Sequence, residues 1–147
     1  MDSMDFGSHI RGITANVNRF ISNKLVKYGI RQGQYEYFMF IYANPGINQL
    51  ELARHKNVGK ASVTKAVRIL EENGFVYREV DENDKRNYRC HITKKGEEII
   101  DGIKSVRSAA ERELFKGFSK EDKGTLFMYL VKLHTNSEEL VGKGVME

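Results

Sequence analysis

Two short helical segments separated by only a few residues, with two short alternating segments around a charged loop directly after them, constrain this chain more than anything else in it. Residues 48–55, NQLELARH, read as a helix that Asn48 can cap, with Leu50, Leu52 and Ala53 apolar. Asn57-Val58-Gly59 breaks the pattern. Residues 60–73, KASVTKAVRILEEN, resume it, and Val63, Ala66, Val67 and Leu70 make one apolar face. Asn73-Gly74 supplies the stop. FVYREV at 75–80 and YRCHI at 88–92 alternate with period two, and the polar stretch Asp81 to Asn87 between them is turn-prone, so the pair predicts a β-hairpin. Helix, tight turn, helix and hairpin in that order make a helix-turn-helix with a wing.

The flanks are helical. Phe6, Ile10, Ile13, Val17, Phe20 and Leu25 form a stripe over residues 6–28, closed by Gly29. Residues 33–43, GQYEYFMFIYA, fit a buried helix or a strand by periodicity, and a helix better suits the helix-turn-helix that begins at Asn48. Asn44-Pro45-Gly46 ends the segment. Ile99, Ile103, Val106, Ala110 and Leu114 predict a long helix over 94–117. Ser119 to Asp122 resembles a capping box opening a last helix striped by Leu126, Leu130, Leu133 and Leu140. The fold class expected is mainly α with a small β-hairpin wing. The 147 residues are read as one domain, with a winged-helix part at 30–95 and helical arms at 5–29 and 96–147.

Charge separates the central part from the arms. The chain carries 24 Lys and Arg against 20 Asp and Glu, a net +4. From Arg54 to Lys95 there are eleven basic and six acidic side chains, so this window alone exceeds the net charge of the whole chain. Such an excess is expected of a solvated face, and also of a protein that meets a polyanion. Lys60, Ser62, Thr64, Lys65 and Arg68 fall largely outside the apolar face of the second helix. Lys and Arg can reach guanine edges or phosphates, Ser and Thr can bond base edges or phosphates, and a Thr methyl can touch a thymine methyl. Lys85 and Arg86, expected at the hairpin tip, suit a minor groove or a phosphate backbone. The alternative is a winged helix that docks on another protein and binds no specific DNA.

Other functions find little support. A single cysteine excludes an internal disulfide framework and a zinc ribbon. His9, His55, His91 and His134 are scattered with no ligand spacing, and the adjacent Cys90 and His91 would point to opposite faces of a strand, so no metal and no cofactor are expected. Nothing near Cys90 suggests a stabilised thiolate for redox sensing. Gly59-Lys60 is followed by Ala61, and position 54 is Arg, so the P-loop pattern fails; GxSxG is absent too, and no enzyme is expected. The acidic N-terminus is unlike a signal peptide and no apolar run reaches about 18 residues, so a cytoplasmic protein without membrane spans is expected.

The stretch NQLELARHKNVGKASVTKAVRILEENGFVYREVDENDKRNYRCHITKKGEE resembles the MarR family of bacterial and archaeal transcription regulators. The matching features are the LA of the first helix, the SVTK start of the second, the LEENGFV-R exit, the D-x-x-D-K-R wing and the IT-K-K-G that opens the next helix, over roughly residues 46–97. The flanking helices match in length and pattern alone. The resemblance implies an obligate homodimer whose first helix and last two helices interlock with the partner's, and a pseudo-palindromic operator. It places Ser62, Thr64 and Lys65 on base edges and Lys60 and Arg68 on phosphates. It offers Asn48 and Gln49 as further phosphate donors, matches Arg86 to the wing arginine, and gives Asp84 a wing-bracing role or that of an ordinary turn residue. Many such proteins are repressors that release DNA on binding a small, often aromatic, effector. His9, Arg11, Tyr35, Tyr37 and Phe38 are the reachable candidates for such a pocket, although an aromatic run at helical spacing more often belongs to a core.

Overall fold

The computed structural model describes residues 3–56 and 58–146. Six helices and a small sheet succeed one another as α1 (Ser3–Leu25), α2 (Gln32–Ala43), β1 (Ile47–Asn48), α3 (Gln49–Lys56), α4 (Lys60–Glu72), β2 (Val76–Asp81), β3 (Asp84–Ile92), α5 (Lys94–Leu114) and α6 (Lys120–Met146). The chain divides into two compact units, Met1–Ala110 and Glu111–Glu147.

The first unit holds the winged helix. Its core joins Ile21 and Leu25 of α1, Phe38 and Ile41 of α2, Leu52 of α3, Val63, Val67 and Leu70 of α4, Val76 and Cys90 of the sheet, and Ile100 and Ile103 of α5. All four apolar residues expected on α4 are buried. On α3 the inward positions are Gln49, Leu52 and Ala53, whereas Leu50 is half exposed, a correction to its expected core role. The α1 stripe is buried only at its end: Leu25 is enclosed and Val17 and Phe20 pack against the core, while Phe6, Ile10 and Ile13 stay exposed within the chain. A single 3₁₀ turn at Val26–Tyr28 replaces the last α-helical turn, and Gly29 closes it at φ 76°, a left-handed conformation that glycine takes without strain.

The sheet has the order β1-β3-β2 and is antiparallel throughout. β1 was not foreseen. Its two residues pair Ile47 with Cys90 and Asn48 with Arg89, which fastens the wing to the start of the helix-turn-helix. The hairpin is also longer than its alternating segments implied. The polar stretch 84–87 is strand, and only Glu82 and Asn83 form the turn. The register shifts between Val80, which pairs with Tyr88, and Asp81, which pairs with Asp84.

The glycine of the IT-K-K-G motif has a packing reason. Thr93 accepts the Gly96 N–H (3.0 Å) and donates its hydroxyl to the Gly74 carbonyl (2.6 Å), which ties the start of α5 to the exit of α4. A Cβ on Gly96 would collide with the Phe75 carbonyl and lie 2.7 Å from Ile92 Cγ2. α5 stops at Leu114, three residues short of expectation, and Leu114 is exposed.

In the second unit a reciprocal cap opens α6: Asp122 Oδ2 accepts the Ser119 N–H (2.9 Å) and Ser119 Oγ accepts the Asp122 N–H (3.0 Å). Leu130, Leu133 and Leu140 of its expected stripe are exposed, together with Phe127, Met128, Tyr129, Val131 and Val141. No helix among the described residues is long and apolar enough to cross a membrane.

Candidate nucleic-acid interface

The exposed side of α4 is set by its buried side. With Val63, Ala66, Val67 and Leu70 turned inward, Lys60, Ala61, Thr64, Lys65 and Arg68 share the opposite face and line one open depression of about 440 Å³. Ser62 is exposed as well. Ala61 was missed by sequence reasoning, although its place in the 3.6-residue period would have found it. Gly59, in an extended conformation, precedes the helix and gives it no side-chain cap. Among the described residues no acidic group comes within ion-pair distance of Lys60 or Lys65, whereas Arg68 reaches Glu72 at 4.0 Å. Positive charge is therefore concentrated on the first two turns. Asn57, part of the expected break before α4, lies outside the described residues.

The two polar residues at the start of α3 have other work. Asn48 is a helix cap, its Oδ1 accepting the Glu51 N–H (2.7 Å) and its Nδ2 donating to Glu51 Oε1 (3.1 Å). These bonds use one of the two Nδ2 protons, and the other lies outside them. Gln49 is only 6% exposed. It donates Nε2 to Thr64 Oγ1 (3.3 Å) and accepts from Arg78 Nη1 (3.5 Å), so its side chain braces the interior rather than meeting a phosphate.

Arg78 is a second residue that the sequence did not reveal. Its guanidinium donates twice to Glu71, Nε to Oε2 and Nη2 to Oε1, both at 3.1 Å, and lies over the Tyr88 ring at 4.8 Å. The Glu71 hydrogen bonds are the leading reason that its pKa is raised, against the opposing effect of burial. This one side chain joins both strands of the wing to α3 and α4. The visible signal was a lone arginine on the inward-alternating face of β2.

Lys85 and Arg86 sit on β3 just after the turn, not at the tip as expected, because the strand begins at Asp84. The Arg86 side chain is 92% exposed. Asp84 accepts both the Arg86 backbone N–H (3.1 Å) and its Nε (3.3 Å), and these bonds lower the Asp84 pKa, with Arg86 and Lys60 charge adding to the effect. Asp81, the first acid of the D-x-x-D-K-R motif, is the buried one. It accepts the Asn83 N–H (2.9 Å) and pairs with Arg89 (3.5 Å), so the wing turn has an internal anchor that the sequence reading passed over.

The five residues expected to line an effector pocket are not brought together. Phe38 is fully buried and meets Phe75 edge to face, Tyr37 is buried beneath Lys56, and His9 and Arg11 are exposed on α1. Tyr35 borders an open cavity of about 390 Å³, lined also by Glu36, Met39, Phe40, Lys56 and Arg107. Burial raises the Tyr35 pKa. Cys90 is fully buried, and burial pushes its thiol up to about 11. Among the described residues no group of three or more His, Cys, Asp or Glu is placed to hold a metal.

These features define a winged helix-turn-helix regulator. The family model for the MarR family matches residues 30–88. The uncharacterized HTH-type transcriptional regulator YybA of Bacillus subtilis is 31% identical over 118 residues, covering 78% of this chain and 79% of YybA. A MarR transcriptional regulator from Methanosarcina mazei has the same fold at TM-score 0.88 and 28% identity, covering 94% of this chain and 99% of its own. The MepR–DNA complex of S. aureus shares the fold at TM-score 0.83 and 22% identity, over 89% of this chain and 97% of that one. The chain belongs to the MarR family, whose members regulate transcription.

Proposed function

We propose that this protein binds double-stranded DNA sequence-specifically as a homodimer and represses transcription by occupying a promoter. The reading is carried by one observation: Lys60, Ala61, Thr64, Lys65 and Arg68 share a single exposed face on the helix that a winged helix presents to the major groove. Ser62, Thr64 and Lys65 are the base-reading residues, with Lys60 and Arg68 on phosphates and Lys85 and Arg86 on the adjacent minor groove or backbone. Asp84 holds the Arg86 backbone and guanidinium together, which supports a bracing role.

Residues 30–95 would then form the DNA-binding part, and 5–29 and 96–147 the dimerisation helices. The large apolar side chains exposed on α1, and separately those on α6, support this assignment, because burial of such side chains drives association. A two-fold dimer presents its recognition helices to half-sites ~34 Å apart, so the operator is pseudo-palindromic. A small aromatic effector relieves repression by changing the spacing of the two recognition helices. The cavity beside Tyr35, with Lys56 and Arg107 at its rim, is the place the geometry favours for it. The protein acts in the cytoplasm and has no catalytic role.

The test is fluorescence anisotropy on a duplex from just upstream of this protein's own coding region, at two salt concentrations with excess unrelated DNA. Tight, competitor-resistant binding by one dimer per site is expected. Lys65→Ala should weaken it by roughly 10–200-fold, the range for losing a base contact. Indifference to both Lys65→Ala and Arg86→Ala in a folded protein would instead favour a protein-docking winged helix.

A further inference from the structure

The hydroxyl of Thr64 is already spoken for. It donates to the Lys60 carbonyl one helical turn back (3.0 Å) and accepts from Gln49 Nε2 (3.3 Å). A threonine hydroxyl has one proton and two lone pairs, so a single lone pair is left. Both partners are firm. The Lys60 carbonyl is part of the helix backbone, and Gln49 is buried and held in turn by Arg78, which is clamped on Glu71. Freeing the hydroxyl for a base would strand the buried Gln49 amide without its acceptor, a costly exchange.

What Thr64 has left to offer the depression is that one lone pair and its methyl group. Ala61, three residues earlier on the same face, contributes a second methyl to the same depression. Around these two lie the cationic side chains of Lys60, Lys65 and Arg68. A small apolar spot inside a cationic rim matches one feature of the major groove, the 5-methyl group of thymine flanked by phosphates. We infer that Thr64 and Ala61 read a thymine through its 5-methyl group, and that Gln49 is a positioning residue that keeps the Thr64 hydroxyl turned into the protein. This rests on the proposed DNA-binding function and names what one part of that surface recognises.

The experiment starts with the full-length wild-type protein selecting its site from a pool of randomised duplexes. Each thymine of the selected duplex is then replaced singly by deoxyuridine, which removes only the 5-methyl group, and affinity is measured by anisotropy. One thymine per half-site should give a loss of roughly fourfold, the worth of one buried methyl group. Thr64→Ser, which keeps the hydroxyl and loses the methyl, should weaken binding to the thymine duplex and show a smaller further loss with uracil than wild type does, since only the Ala61 methyl then faces the base. Thr64→Val, which keeps a methyl and loses the hydroxyl, should still distinguish thymine from uracil; its thermal melting is monitored in parallel, since it deprives Gln49 of a partner. Gln49→Leu should bring the thymine-to-uracil affinity ratio towards one, a change that general loosening of the fold would not single out. A wild-type protein indifferent to every uracil substitution, or a Thr64→Ser protein that binds as wild type, overturns the inference while leaving DNA binding intact. Failure to enrich any sequence overturns the DNA-binding reading and this inference with it.

Discussion

Arg86 combines an almost fully solvated guanidinium with two bonds to Asp84, so its charge is held in place without being buried. A cation so placed can neutralise a phosphate at little desolvation cost and carries no base information of its own. Arg86→Ala should therefore weaken binding to all sequences about equally and reduce the salt slope by about one per wing, as read from affinity against salt concentration. An unchanged slope with lost sequence preference would place Arg86 on a base instead. Cys90 is the opposite kind of residue. Its folded pKa of about 11 lies above the ordinary thiol range. The buried thiol's contribution is fully present below the unfolded value near 8.5–9 and is lost as pH rises towards 11. The loss is on the order of 3 kcal/mol. Urea denaturation at pH 8 and pH 10.5 should show a smaller fall in stability for Cys90→Val than for wild type, and a thiol reagent at neutral pH should modify the native wild-type protein slowly.

Among elements, α5 makes the sharpest demand on a single position. The Phe75 carbonyl and Ile92 Cγ2 leave no room for a side chain at Gly96. Gly96→Ala should push the start of α5 off the sheet and cost about 1–3 kcal/mol, the usual range for overpacking, measured by thermal or urea unfolding. Helices were the most legible elements in the sequence because burial repeats along them: the α4 face of Val63, Ala66, Val67 and Leu70 is enclosed as its spacing predicts. β1 was not legible, since two residues carry no period and their pairing with Cys90 and Arg89 lies some forty residues away. The start of β3 was hidden for the same reason, as Asp84 to Asn87 read as a loop until β2 is alongside. Gln49 was misplaced because its fate depends on Thr64 and Arg78, which no local pattern links to it. The α4 cations were legible, and the helical period puts Ala61 among them, although an alanine announces no chemistry until its neighbours are known.

At the scale of the whole molecule, eleven of the twenty large apolar side chains left exposed among the described residues lie on α1 and α6. Phe6, Ile10 and Ile13 on one, and Phe127, Leu130 and Leu140 on the other, are large side chains that a stable monomer would leave in water at a cost of roughly 1.5–3 kcal/mol each relative to burial. Light scattering should give twice the 16.9 kDa chain mass, and Phe127→Glu with Leu130→Glu should lower that mass and weaken DNA binding with α4 intact. A wild-type monomer at micromolar concentration would remove the basis for a pseudo-palindromic operator. The strand order β1-β3-β2 has a consequence of another kind. It leaves β2 at the rim of the sheet, and a rim strand is a template onto which a stray chain can zip and seed a fibril. Here that rim is only six residues long and carries charge at Arg78, Glu79 and Asp81. The features that set the wing's shape also guard it against β-aggregation, so a concentrated solution of this protein should stay free of amyloid.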